Sequence, residues 1–392
     1  MHVDALETLI YFYRLVQRTV SMDFIIMNNT SILSPWEVHD VWNSRVASLL
    51  LPNTIILFVY MLLGLLGNTM VIYIYKFKLR KVSEDRFFIP YLAGIDAVAC
   101  VICSSANIII NFNPVRYPDE FLCKVFFMLS QFAGSSSALM LTIIAIQRFQ
   151  RICQPFKPKM TLRTKRLSVL FTLMFVFLAS IPSLFTTGIG SISNPQLNVT
   201  GYVCASVEVM GSRMFPFAYN LLVLTICVGN LFVLCVLYVL VGKTIYGRVK
   251  YRQDVKTAAM CESSSSDVIS EGYARKSSTV SESQSSIKRG STHHKSSRKM
   301  RMAGNRLSLM FLVITLVYVI CFVPTLTAIV WDSLDRNVWL TKSNWEIVGF
   351  RSAYSLYIIN NIVNPIIYGF FDKSLRKEML SLLGCLKCAR RV

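Results

Sequence analysis

Two charged side chains sit where charge is costly. Asp96 is the only charged residue between positions 87 and 115, and Arg148 ends a run, 125–147, that carries no charge at all. A carboxylate in apolar surroundings needs a proton, a hydrogen-bonded shell or a cation, and a guanidinium at such a boundary needs acceptors. Two cysteines, Cys123 and Cys204, stand at the margins of apolar runs, where a thiol pair can form a covalent tie. The four histidines, His2, His39, His293 and His294, lie outside these runs, and no metal-ligand or nucleotide-binding pattern accompanies them. Apart from a cation at Asp96, nothing in this set suggests catalysis, a metal or an organic cofactor.

The elements that position these residues are unusual in composition. The 392 residues are 54% hydrophobic and 16% charged, with a mean hydropathy of +0.50. The apolar residues fall in seven blocks, at 46–75, 87–115, 125–147, 167–207, 214–242, 307–331 and 352–371. A bilayer is crossed by about 20 apolar helical residues. Seven blocks of this kind argue against buried helices of a soluble protein and predict seven membrane spans.

The net charge of +20 could suggest nucleic acid, but its placement does not. The connections after blocks one, three and five and the tail after block seven hold 32 of the 41 Lys and Arg. The other side has nearly balanced charge. The positive-inside bias then predicts an outside amino terminus and a cytoplasmic carboxyl terminus. Cys123 and Cys204 fall on the outside, in an oxidising compartment where a disulfide persists. Asn28, Asn29 and Asn198 begin glycosylation sequons on that same side.

Residues 1–45 read as an extracellular segment, with 1–26 as an upstream extension because "MNNTS" offers a second start at Met27. Residues 46–371 form the membrane domain, interrupted at about 252–297 by a serine-rich loop too poor in apolar residues to fold. Within that loop Ser278 and Ser291 follow basic residues and read as phosphorylation sites. Residues 372–392 form a cytoplasmic tail in which Phe371, Leu375, Met379 and Leu382–Leu383 share one face, as in a helix lying at the membrane surface. Cys385 and Cys388 beside it are palmitoylation sites or simply unmodified thiols.

Several motifs, in order, carry a resemblance: "GLLGN" ending at Asn68, "LAGID" ending at Asp96, Cys123 and Arg148 bracketing the third block, "YVICFVP" with Pro324, and "NNIVNPIIY" through Asn364, Pro365 and Tyr368. The chain resembles the rhodopsin-like class of G-protein-coupled receptors over about residues 46–383. That likeness implies an all-α membrane protein at the plasma membrane, a seven-transmembrane helix bundle with a short interfacial eighth helix. It implies G-protein, arrestin and receptor-kinase partners, membrane lipid contact, and no nucleic acid. It groups Asp96 with Ser137, Asn360 and Asn364 as a sodium site, with a protonated aspartate bonded to Asn68 and Asn364 as the alternative. It assigns Arg148, Tyr238, Phe322, Pro324, Pro365 and Tyr368 to the switch that admits a G protein.

The sequence departs from the class at several points. Gln147 replaces the acid that normally precedes Arg148, and Phe149 follows it. Gly304 stands near the place of a second acid, and Phe322 replaces a tryptophan. Gly229–Asn230 stands where a proline is common. Loss of the acid predicts a receptor that is basally active or easily activated, with Gln147 still able to accept a hydrogen bond from Arg148.

Ser130 at the position of the amine-receptor aspartate argues against a biogenic amine, and the absence of a lysine in block seven excludes a retinal Schiff base. A neuropeptide is the leading ligand, ahead of a lipid or other small molecule. By the resemblance its pocket would use Asn107, Ser130, Gln131, Thr325, Phe350 and Tyr354, with Glu208, Asp332 and Arg351 at the mouth. A non-signalling scavenger or heterodimer partner, and less readily a transporter or channel, remain as other classes.

Overall fold

A helix crossing lipid must satisfy every backbone group within itself, and the charge-free blocks of this chain do so. The computed structural model describes residues 34–79, 84–195, 197–266, 285–334 and 343–389. Among them six helices are long and apolar enough to cross a membrane: Leu51–Lys78, Glu84–Phe112, Glu120–Cys153, Leu162–Thr186, Met214–Val255 and Arg306–Trp331. The seventh span is built from two pieces, Asn344–Ser355 and Tyr357–Phe371. Between them Leu356 takes i→i+3 bonds, its N–H to Ala353 O at 3.3 Å and its own carbonyl accepting from Ile359 N at 3.0 Å. The tighter local winding re-aims the lower half without interrupting the chain.

Span one packs on two, two on three, and three on four and five. Span six packs on five and seven, and seven closes the bundle against one and two. Span three is the central post. Large apolar side chains face outward, among them Phe171 at 72% and Ile320 at 70% exposure. In water such a surface would aggregate; in lipid it is the correct exterior.

The inner packing is uneven. The main core gathers Val71, Phe88, Leu92, Met140, Ile144, Leu234, Tyr238, Phe311, Tyr318 and Tyr368 toward the basic end of the bundle. Leu375, Met379 and Leu382 of the helix Lys373–Ala389 pack against that core together with Phe371 at the end of span seven, on the face their spacing predicts. Asp372 caps this helix, accepting from Ser374 N at 2.9 Å.

Three features depart from the sequence reading. First, block four is not helical to its end: the helix Leu162–Ser180 is followed by the short helical turn Ser183–Thr186, and the chain then forms a hairpin of β1 (Thr187–Asn194) and β2 (Val199–Ser206) outside the all-α bundle. Pro182 stops the helix, and the alternating, Gly-containing stretch beyond it suits strands. Asn198 supports the turn with φ 50°, a left-handed conformation that asparagine tolerates. Second, the end of the extracellular segment 1–45 and the start of the first apolar block join in one separate helix, Pro35–Leu49, with a capping box of Ser34 and Glu37. The two hydrogen bonds from Ser34 hold the partly exposed Glu37 carboxyl below the ordinary carboxylate range. Third, the helix from span five runs on to Ser266 and that of span six begins at Ser285. Both enter the segment 252–297 that composition assigns to a disordered loop, carried there by basic, helix-compatible flanks. Asn28, Asn29 and Ser278 lie outside the described residues, as do the side chains of Ser291, Asp332, Cys385 and Cys388.

Spans one and two meet closely at Gly64, where a Cβ would lie 2.2 Å from Cys100 Sγ and 2.6 Å from its Cβ. Overpacking a buried contact costs about 1–3 kcal/mol. Gly64→Ala is therefore expected to lower the thermal midpoint of the purified protein. Adding Cys100→Ala should restore only part of it, because the Cys100 Cβ contact persists. A melting curve followed by alkylation of buried thiols checks both.

Candidate functional site

The disulfide end of the bundle is open. Cys123, at the start of span three, is bonded to Cys204 on β2, with Cα atoms 5.6 Å apart. Ile189 stands opposite Cys204 in the hairpin register, so the bond pins both strands over the bundle. The other edge of β2 is tied to the segment after span two, Tyr202 N to Val115 O at 2.6 Å and Tyr117 N to Tyr202 O at 2.9 Å. Gly201 is required at this approach: a Cβ there would lie 2.9 Å from Val115 O and 3.0 Å from the Trp42 ring.

Beneath the hairpin is a cavity of about 450 Å³. Trp42 and Val46 of the amino-terminal helix and Leu50 just after it form one wall, Ile192 and Val203 the roof, and Phe217 and Leu221 the side of span five. Trp42, Val115 and Ile192 make a small apolar core that closes this wall. The cavity is mostly apolar with a few polar groups, as ligand sites are.

Of the sequence-assigned ligand residues, Arg351 lines this cavity. It is 9% exposed, and its Nε donates to Asn111 Oδ1 at 3.1 Å. Asn111 in turn donates to Asn53 Oδ1 at 2.8 Å and Thr54 Oγ1 at 3.1 Å, and Asn53 reaches Ser355 Oγ at 3.3 Å. This polar cluster fixes a guanidinium at the edge of an apolar space. Tyr354 lies below it, the Arg351 guanidinium 5.7 Å from its ring.

The other assigned residues are spread around the cavity rather than into it. Asn107 donates to Cys103 O at 2.9 Å, and Thr325 Oγ1 to Ala353 O at 3.0 Å. Ser130 Oγ is buried with no hydrogen-bond partner among the described residues. Gln131 lines a separate space of about 50 Å³ with Asn230, Tyr318 and Phe322. Phe350 stands edge-on to Trp331, and Glu208 pairs with Arg213 at 2.6 Å on the surface. Trp42, Val46 and the hairpin wall were not foreseen. Their signal was the capping box "SPWE" followed by apolar Val38, Trp42 and Val46 at four-residue steps.

Midway along the bundle, Asp96 is fully buried. Ser137 Oγ donates to its Oδ1 and Asn364 Nδ2 to its Oδ2, both at 2.6 Å. Asn68 donates to Gly64 O and Asn361 O, each at 2.9 Å, bridging spans one and seven. The side-chain oxygens of Asn68, Asn360 and Asn364 and the hydroxyls of Ser136 and Tyr368 are buried without hydrogen-bond partners among the described residues. Three of the four residues assigned to the cation site, Asp96, Ser137 and Asn364, thus form one bonded group, and the fourth, Asn360, keeps a buried, orphaned oxygen.

At the basic end Arg148 is 1% exposed. It donates to Gln147 Oε1 at 3.1 Å and to the Asp85 carbonyl, and its guanidinium lies 5.2 Å from the Phe311 ring of span six. Tyr238 and Tyr368 are buried in the same core, while Phe149 is partly exposed. Phe322 packs 4.6 Å from Tyr318 and 6.3 Å from Tyr357, so it links spans six and seven. Pro324 and Pro365 lie within their helices. Asn230, in the place of a proline, accepts from Thr142 at 2.5 Å and donates to Tyr318 Oη at 3.4 Å.

A multi-pass bundle with a disulfide-strapped hairpin, a buried central aspartate and a closed basic end defines a membrane receptor architecture. Residues 67–368 match the model of the rhodopsin family of seven-transmembrane receptors, and the chain belongs to that family. It is similar to a QRFP-like peptide receptor of Branchiostoma floridae, 22% identical over 342 residues that cover 85% of this chain and 77% of the relative. It is also similar to neuropeptide FF receptor 2 of Mus musculus, 22% identical over 342 residues, 85% and 72% covered. A cholecystokinin receptor of Xenopus laevis is 23% identical over 423 residues, with 99% and 92% covered.

The Cys123–Cys204 bond closes a separation of 81 residues, and such a tie contributes about 2–4 kcal/mol. Cys204→Ser should lower the thermal midpoint clearly and free the hairpin that roofs the cavity. Proteolysis between residues 187 and 206, mapped by mass spectrometry, is expected to rise in the variant alone.

Proposed function

We propose that this chain is a plasma-membrane receptor for an extracellular peptide and that it activates heterotrimeric G proteins. The observation that carries the reading is the contrast between its ends. A mostly apolar cavity, walled by a tied hairpin and a helix, lies opposite a densely packed core that encloses Arg148. The named ligands of its relatives favour a peptide, and the clustering of Lys and Arg on the Arg148 side favours an extracellular cavity and a cytoplasmic core. Arg351, with Glu208 and Asp332, would meet polar groups of the peptide. Asn107, Ser130, Gln131, Thr325, Phe350 and Tyr354 would shape the floor beneath it.

In this reading ligand contact shifts an existing equilibrium by binding the open state more tightly. Spans six and seven would move about Pro324 and Pro365, Phe322 would transmit the shift, and Arg148, Tyr238 and Tyr368 would line the opened cytoplasmic end. Glycans on Asn28, Asn29 and Asn198, palmitate on Cys385 and Cys388, and phosphate on Ser278 and Ser291 for arrestin docking complete the proposal. Receptor kinases would supply phosphate, adding about −1.5 to −2 charges per site.

Peptide-library stimulation of cells carrying G-protein dissociation sensors tests the reading. A peptide response that vanishes in Arg148→Ala at equal surface expression is expected. Peptide binding without dissociation of any G protein would favour the scavenger or heterodimer-partner reading. Ion current without G protein would favour a channel.

The Asp96 group also fits a sodium ion. Carboxylate, amide and hydroxyl oxygens suit a hard cation, and the side-chain oxygens of Asn360 and Asn364 are buried without hydrogen-bond partners among the described residues. Asp96, Ser137, Asn360 and Asn364 would hold the ion, which would favour the closed bundle. Sodium is expected to raise the thermal midpoint of the purified receptor relative to choline at equal ionic strength. The Asp96→Asn variant should lose that difference. An equal sodium effect in both proteins would place the ion elsewhere.

A further inference from the structure

The acid that would restrain Arg148 from the neighbouring position is absent, yet Arg148 is one of the most completely buried side chains in the molecule. Besides Gln147 Oε1, its acceptor comes from a distant segment. The 3₁₀ turn Glu84–Arg86, at the start of span two, presents adjacent backbone carbonyls, and a turn this short leaves such groups open to outside donors. Arg148 donates to the Asp85 carbonyl. Lys165 Nζ of span four, only 3% exposed, donates to the Glu84 carbonyl at 3.1 Å, and Gln147 Nε2 reaches the same oxygen at 3.5 Å. Three donors from spans three and four therefore converge on two consecutive carbonyls.

The turn is itself fastened on both sides. The Asp85 carboxylate pairs with Arg151, one helical turn beyond Arg148. Arg86 pairs with Asp372 at 2.9 Å, and that carboxylate is 1% exposed, caps the interfacial helix and accepts from Tyr75 Oη at 3.5 Å. A carbonyl carries only a partial charge, so it holds a guanidinium well only if it is held still. The two ion pairs meet that need.

We propose that the Glu84–Arg86 turn is the restraint that keeps Arg148 in the resting position, with Asp85 as its positioning residue. The inference rests on the receptor reading above. Asp85 acts on Arg148 through its backbone, while its carboxylate clamps the turn to Arg151. Release of the turn lets Arg148 leave the Asp85 carbonyl and Phe311, and span six is then free to move. Gln147 is thereby a bridge between the arginine and the turn rather than a damaged acid.

The test compares Asp85→Asn, Arg151→Gln and the double variant, with Arg151→Lys as the version that keeps the charge. Each is built with and without Thr315→Cys, a reporter at a buried position of span six. Ligand-free G-protein dissociation per surface receptor is measured beside alkylation at position 315, read by peptide mass spectrometry. Each neutralising single variant is expected to raise both signals about two- to fivefold, the population change one partly exposed ion pair controls. The double variant should rise no further, because both changes break the same contact, and Arg151→Lys should remain near the parent. Unchanged signal and unchanged alkylation in variants that reach the surface would overturn the proposal, as would fully additive effects. Raised alkylation with no G-protein signal from any version, parent included, would support the turn as the restraint and overturn G-protein coupling.

Discussion

A guanidinium enclosed in an apolar bundle cannot be left without acceptors, and the basic half of this molecule is organised around that need. Removing a charge from water without compensation costs several kcal/mol. Arg148 is therefore surrounded by Gln147, the Asp85 carbonyl and the Phe311 face. Those partners belong to spans three, two and six, so satisfying one side chain draws three helices together. The same requirement operates at Asp96, whose oxygens take donors from spans three and seven.

These two buried charges explain the uneven packing of the molecule. Around them lies the principal core, with Tyr238, Phe311, Tyr318 and Tyr368 filling the space between helices. Toward the disulfide the helices separate, and the gap is walled by Trp42 and the hairpin instead of being filled. A rearrangement in the open half costs little packing, whereas one in the closed half must release specific contacts. Phe322, touching Tyr318 and Tyr357, stands between the two regions. Interfaces of this kind switch between discrete arrangements rather than deforming continuously.

The spans and their two charges were legible from sequence because lipid imposes long charge-free runs, and a run of that length has few other meanings. The Cys123–Cys204 pairing followed from compartment and position. Much of the cavity was not legible. Its walls come from Trp42 and Val203, which are remote in sequence and belong to elements of ordinary composition. The β1–β2 hairpin was hidden because its strands continue the apolar block of span four, and only Pro182 and the alternation beyond it separate the two. The partners of Arg148 were hidden for another reason. Backbone carbonyls have no sequence signature, so nothing in the sequence pointed to the Asp85 carbonyl as a partner of Arg148.

In this account the basic end is closed by contacts between Arg148, the turn at the start of span two and span six, and ligand and G protein open it together. The most direct measurement is the distance distribution between spin labels at the basic ends of spans three and six, in receptor reconstituted in lipid. The account predicts one predominant short distance without ligand and a longer population when an activating peptide and a nucleotide-free G protein are both present. The same distribution under both conditions, in receptor that binds the peptide, would contradict it.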